Sequence, residues 1–598
     1  MEKRFLLALV LSLAVLLGWQ FLFPSPTPAP KPAPKPAAEQ TKPVDVAQPQ
    51  PPASEAKVPT ADLREEVLEN DDLRMVFSND GGVITRVELK GQHASVNSRE
   101  DLKLMLAVPS DKCGALELRA TKNDDLGRGH VWQMSKSADG RTLALERSVE
   151  RPGGRIVMRK EITLPAGRGL HAEVRCSVRG EGTANTVFPL DLALQITPGV
   201  FQEPGGSAVA PARSGLNGVE REFRAVMAQE AHEDSAGKAL ALTGAQRYAG
   251  DLSNYFGMVL LLESFPDSVV ARVQAAAAAD RGDAGDGSAA RTATSVEFGM
   301  RAEAGGSAVT HSGLLYMGPM DDRILAADLA SKPEAAAALS LIYRDQLGWA
   351  RVIGRGVLFL LDLMHGLCNN WGFAIILMTL LVRVVLFPVN RRSQDAMAKH
   401  QEQMAKLKPR LEALKKKHEG DARKFAEEQM KLMREEKVKL VPLGGCLPML
   451  LQIPIFFGLF SALRASIDLR QASWWWVADL SQPDHLITFD SPVANPLSLC
   501  GLIPGCGSCV GGAAALTGLH LLPILMTIAW FMNSWLMPKP ATSDPQMEQQ
   551  RKMMLFMPVL FGFMMYSYAA GLSLYWLVSS SIGIVEGRII RALRARQS

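Results

Sequence analysis

Arg383 sits inside the apolar run WGFAIILMTLLVRVVLFPVN, residues 371–390. A guanidinium at the centre of a bilayer-spanning helix costs about 2.5–3.5 kcal/mol, so its presence needs a chemical reason. Thr379 stands four residues earlier, on the same helical face. Gln452 falls in the middle of another run, CLPMLLQIPIFFG; Asn533 and Ser534 interrupt a third, and Ser579 to Ser581 a fourth. Pro448, Pro454, Pro523 and Pro558 can kink their runs where other groups satisfy the freed carbonyls. Such polar groups either bind helices to one another or line a polar cavity. Arg383 lies roughly 7 Å inside the end of its run at Pro388. Two readings follow: it snorkels to the interface or pairs with Glu586, or it is a fixed positive charge in a water-accessible pocket.

Other chemistry is scarce. The sequence has no P-loop, no HExxH, no GxSxG and no GxGxxG before a helix, which argues against ATP-driven transport and against an enzyme. No catalytic residue, cofactor or metal is expected. Asp362 and His365 share an amphipathic segment and read as interfacial polarity rather than a dyad. Cys500, Cys506 and Cys509 lie in the Gly-rich loop CGLIPGCGSCVGG, the last two as a CxxC. A thioredoxin-like site would need a βαβ context, and zinc a fourth ligand, for which His520 is the nearest candidate. In an oxidising exterior a structural disulfide with one thiol left over fits better. Cys113 and Cys176 could also pair; the sequence leaves this open.

The elements that must position Arg383 are apolar and unevenly placed. Of 598 residues 47% are hydrophobic, and net charge is only +4, which identifies no partner. The apolar runs cluster at the N-terminus and after about residue 350, with ordinary soluble composition between them. The pattern is that of a membrane protein carrying a water-soluble insert.

Residues 1–23 read as a transmembrane anchor: FLLALVLSLAVLLGWQFLF follows Lys3 and Arg4 and spans about 28 Å as a helix. A cleaved signal peptide is the competing reading, disfavoured by the length of the run and by the lack of an A-x-A site before Pro24. Residues 24–60 form a Pro/Ala-rich linker of extended polyproline type. Residues 61–340 alternate in short segments between Gly, Asn and Asp turns, which predicts an antiparallel β-sandwich domain; the Ala/Gly/Asp-rich stretch 274–293 reads as a loop within it.

Residues 341–598 hold the rest. An interfacial amphipathic helix is expected at 349–367, and transmembrane helices at 370–389, 443–463, 519–537, 555–569 and 571–590. With the anchor this makes six transmembrane helices, five of them in the C-terminal core. Segment 390–442 carries 15 Lys/Arg against 9 Asp/Glu. Met397, Met404, Leu407, Leu411 and Leu414, then Phe425 and Leu432, recur at near-heptad spacing around HEGDA, which predicts a coiled-coil hairpin. Its basic face, with Lys399, Lys406, Lys408, Arg410, Lys415, Lys416 and Lys417, suits ribosomal RNA, anionic lipid or an acidic partner. Every basic cluster falls on one side of this layout. Hairpin and both termini are therefore expected in the cytoplasm, and the β domain outside.

The motifs NWGFAIILMTLLVR, KVKLVPLGGCLPMLLQIPIFFGLF, DLRQA, LPILM, SDPQMEQQRKMM with FMPVLF, and GLSLYWLVSS are long, ordered and consistently spaced. Over residues 349–598 the chain resembles the YidC/Oxa family of membrane-protein insertases. The anchor, linker and β domain resemble the Gram-negative type, whose external domain is a galactose-mutarotase-like β-sandwich; LYMGPMDDRI carries that part of the likeness. The resemblance implies a protein of the bacterial inner membrane with a periplasmic β domain. It implies insertion and folding of nascent membrane proteins, alone or with the Sec translocon and without ATP hydrolysis. A hydrophilic groove open to cytoplasm and lipid would be lined by Arg383, Thr379, Gln452, Pro448, Pro454, Tyr575 and Trp576. Arg383 would attract an acidic client segment; Trp576 stands where some relatives have a second tyrosine. Partners would be nascent chains, membrane lipids and, weakly given the short basic tail, the ribosome, with no small-molecule substrate.

Two alternatives are distinguishable. A channel or secondary transporter would show internal repeats and discontinuous helices. A membrane-anchored sugar enzyme would need a His and a carboxylate convergent in the β domain, and no convincing pair stands there.

Overall fold

The computed structural model describes most of residues 63–596. Outside it lie 1–62 and internal stretches, chiefly 94–99, 106–113, 121–125, 198–208, 215–223, 228–239, 276–291, 436–442, 495–514 and 537–554. The expected anchor, the linker, Cys113 and the three loop cysteines therefore fall outside the described residues.

Period-two burial builds the β part. In strands Gly154–Thr163, His171–Gly182 and Val187–Thr197, buried residues alternate with exposed ones, as a strand with one covered face requires. Gly153, at φ +92°, supplies the turn between Thr142–Arg151 and Gly154–Thr163, a conformation that β-carbon-bearing residues resist. Among the described residues the strands form sheets of nine, five, four and two, antiparallel throughout. The nine- and five-stranded sheets share one apolar core, to which Met158, Val174 and Leu315 contribute from one side and Leu192, Phe298 and Met300 from the other. The two-layer antiparallel arrangement is the one expected. Cys176 is a buried thiol in this core, free among the described residues, and Cys113 lies outside them.

Strand Phe256–Leu262 is buried at every residue, because its outer face is covered as well. Helices α1 (Asp322–Asp328) and α2 (Pro333–Gln346) lay Leu325, Leu329, Leu339 and Ile342 over Val259, Leu261, Leu314 and Tyr316. Asp321 caps α1, accepting from the backbone of Arg323 and Ile324. The next residue of that turn joins the β part to the helical part: Arg323 Nη1 lies 3.3 Å from Asp362 Oδ2, and Nη2 pairs with Asp468. Arg470 and Gln471 add two bonds to the carbonyl of His93, at 2.6 and 2.7 Å.

The helical part comprises α3 (Arg351–Cys368), α4 (Trp371–Lys417), α5 (Ala422–Glu435), α6 (Leu443–Ala465), α7 (Leu521–Trp535), α8 (555–563) and α9 (Ala570–Ala595). Asn370 caps α4, its side chain accepting from Gly372 N and Phe373 N. On α3, His365 stacks on Trp371 at 4.0 Å while Asp362 faces Arg323, so these two do not form a pair.

Two helices differ in extent from the spans expected there. The span expected to stop at 389 continues unbroken through Pro388 and Pro409 to Lys417, a helix of 47 residues. A proline removes one N–H and crowds the carbonyl four residues back, about 3 kcal/mol, and the continuous helix on both sides absorbs that. Within the span expected at 555–569 the described helix is 555–563; Met565 N still donates to Phe561 O, and Tyr566 and Tyr568 then bond back to Phe563 and Met565 in turns. Among the described residues one helix, Trp371–Ala396, is long and apolar enough to cross a membrane. The loop after α6 also holds a two-stranded sheet, Ile487–Ala494 with Ala515–Leu519, that spacing did not foretell.

Candidate functional site

Arg383 reaches from α4 to α9. Its Nε and Nη2 donate to Ser579 Oγ at 3.1 and 2.6 Å, and its Nη1 lies 3.6 Å from Glu586 Oε2. Ser579 and Glu586 are seven residues apart, two turns on one helical face, so one guanidinium bridges both. Asn390, two turns beyond Arg383 on α4, donates to the same carboxylate oxygen at 3.4 Å. Each hydrogen bond to a charged group is worth about 1.5–3 kcal/mol, comparable with the insertion penalty of a central arginine. Partners on α9 therefore account for the tolerated charge, and no snorkelling is needed to explain it.

A second link joins α6 to α9: Gln452 Nε2 donates to the Tyr575 hydroxyl at 2.6 Å. Thr379 is fully buried, but its Oγ1 donates to Ile375 O at 2.6 Å. Its hydroxyl serves its own helix and does not hold Arg383.

These links surround a cavity of about 30 Å³, room for roughly two waters. Its polar lining is Thr379, Arg383, Asn390, Gln452 and Tyr575, and Val382 and Leu386 complete the wall. Four residues singled out by sequence thus meet in one place. Asn390 was missed, although its spacing from Arg383 puts it on the same face; Val382 and Leu386 carry no chemical signal.

Trp576 and Pro454 do not line the cavity. Consecutive helical residues point about 100° apart, and Trp576 turns into an aromatic cluster, stacked on Trp530 at 5.1 Å with Phe456 and Phe561 beside it. Its Nε1 is buried with no partner among the described residues. Pro448 belongs to α6, but its side chain lies outside the described residues.

The basic residues follow along α4. Lys399, Lys406, Arg410 and Lys417 are exposed; Lys408, Lys415 and Lys416 are helical, with side chains outside the described residues. Leu407 of α4 and Leu432 of α5 are buried together, flanked by Leu411 and Leu414. Met397, Met404 and Phe425 have side chains outside the described residues.

The sequence profile of the 60Kd inner membrane protein family matches residues 363–597. That stretch of the chain is similar to this family. It contains every residue of the cavity. Among curated relatives, a membrane protein insertase YidC from Ralstonia nicotianae is 33% identical over 282 residues, 47% of this chain and 41% of the relative. One from Laribacter hongkongensis is 34% identical over 273 residues, 46% and 40%. The alignments therefore span about two fifths of the relatives' own length. Among solved structures, an active YidC insertase is 15% identical with a TM-score of 0.32, covering 87% of this chain and 91% of that one. An aldose 1-epimerase-like protein of Escherichia coli K12 is 14% identical with a TM-score of 0.28, covering 43% and 99%.

Proposed function

We propose that the protein is a membrane-protein insertase and chaperone of a bacterial inner membrane. The observation that carries this reading is the half-buried cation at the cavity of α4, α6 and α9, within the stretch that matches the 60Kd inner membrane protein family. A polar recess beside Arg383 lowers the barrier for a hydrophilic client segment, and its charge favours an acidic one. Partitioning of the client's apolar segment into lipid then supplies the driving force, without ATP.

In this reading six helices cross the membrane, five of them C-terminal, both termini are cytoplasmic and the β domain is periplasmic. Thr379, Gln452, Pro448, Pro454, Tyr575 and Trp576 belong with Arg383 to the groove, and the basic residues from Lys399 to Lys417 on α4 meet client, ribosome or anionic lipid early. Exposed Val384 and Val385 beside Arg383 offer an apolar face for lipid or for a departing client helix. The protein acts alone or beside the Sec translocon.

The direct test is photo-crosslinking from positions 379 and 383 to ribosome-bound nascent membrane proteins. Clients should crosslink at both positions, and Arg383→Lys should retain more insertion activity than Arg383→Ala or Arg383→Glu. Equal insertion by all three variants, with no crosslinks, would overturn the reading.

A further inference from the structure

The cation of the cavity is already matched. Glu586 stands 3.6 Å from Arg383 with only 8% of its side chain exposed, and Asn390 holds its carboxylate from the α4 side. Ser579 takes the remaining reach of the guanidinium. The space beside it, about 30 Å³, is far too small for a peptide segment. In this conformation the site is occupied by the protein's own acid, and the same pair ties α4 to α9.

We propose that Glu586 is a built-in competitor for Arg383 and sets how acidic a client segment must be to enter. This rests on the insertase reading given above. A client carboxylate reaching Arg383 has to replace one that is already there. A tethered group competes at an effective concentration in the millimolar range, so a client with one acidic residue exchanges like for like at a disadvantage. A client with two can hold one carboxylate nearby while the other exchanges. Displacing Glu586 also removes the α4–α9 ion pair, so opening of the cavity is coupled to client charge. Asn390 is a positioning residue here: its amide keeps the released or bound carboxylate within reach.

The experiment uses the full chain in proteoliposomes. Otherwise identical single-span clients carry none, one or two aspartates in the translocated segment, and insertion is read by protease protection. The readout is the ratio of insertion between two-aspartate and one-aspartate clients. Glu586→Gln, which keeps shape and the bond to Asn390, should lower that ratio roughly fivefold, the size of a modest ion-pair exchange. Glu586→Asp, which keeps the charge but shortens the reach, should fall between Gln and wild type and guards against a folding defect of the Gln variant. Arg383→Gln should abolish dependence on client charge. If Arg383→Gln abolishes it while both Glu586 variants keep the wild-type ratio, the competitor role is overturned and the groove reading stands. If Arg383→Gln keeps the wild-type ratio, the groove reading itself fails.

Discussion

Gln452 and Tyr575 close one wall of the cavity with a 2.6 Å hydrogen bond between α6 and α9, while Arg383 reaches the same α9 from α4. Three helices are thus joined through two adjacent turns of α9. Removing either member of the Gln452–Tyr575 bond should cost about 0.5–1.5 kcal/mol. Because the two act as one contact, Tyr575→Phe, Gln452→Leu and the double variant should be non-additive. Thermal unfolding in detergent checks this: the double variant should lose no more than the worse single one.

Arg323 faces three carboxylates, those of Asp321, Asp362 and Asp468. Desolvation raises the pKa of Asp362 even with Arg323 beside it. Since the guanidinium is half exposed, each pair is worth at most about 1 kcal/mol, but deleting the arginine also leaves three acids facing one another. Arg323→Gln should loosen the β part from the helical part. Calorimetry should then resolve two transitions in place of one, and high salt should narrow the gap between variant and wild type.

Lys160 is fully buried, its ammonium donating to the carbonyls of Gly81, Gly82 and Leu116 and lying 4.3 Å over the Trp132 ring. Desolvation pushes its pKa from 10.5 down to about 8. Between those values the folded protein has shed the proton and the unfolded chain keeps it. Stability therefore rises with pH across this window, by at most about 1.4 kcal/mol per pH unit. Lys160→Met, which orphans the three carbonyls, should be less stable at pH 8 and should lack this rise. Unfolding midpoints at pH 8 and pH 10 for both proteins measure the difference.

Gly562 of α8 packs against Thr527 of α7 so closely that a β-carbon would collide with Thr527 Oγ1, which already donates to Pro523 O at 2.7 Å. Gly562→Ala should destabilise by about 1–3 kcal/mol through overpacking. Adding Thr527→Ala should restore part of the loss, and full additivity of the two would contradict the contact.

What the sequence disclosed depended on how local the signal was. Alternation in Gly154–Thr163 and His171–Gly182 announced strands because one face of each is solvated. The runs around Arg383 and Gln452 announced helices because twenty apolar residues leave little choice. Pro388 misled because its penalty is a few kcal/mol at most, less than the sum of helical bonds on either side. The Arg323 junction was not legible, since its partners lie 39 and 145 residues away. Nor was the burial of Lys160, which depends on loops 44 to 79 residues distant closing over it. At the cavity, helical spacing placed Thr379 and Arg383 on one face, whereas the pairing with α9 required the fold.

The continuity of α4 has a mechanical meaning. From Arg383 to Lys417 the helix runs about 51 Å, a rod with the matched charge near one end and the basic residues along the other. Tilting such a rod by 5° moves its far end by about 4 Å. A load applied at Lys417 would thus be felt as a smaller, geared displacement at Arg383. Pro388 and Pro409 both lie inside this rod without breaking it.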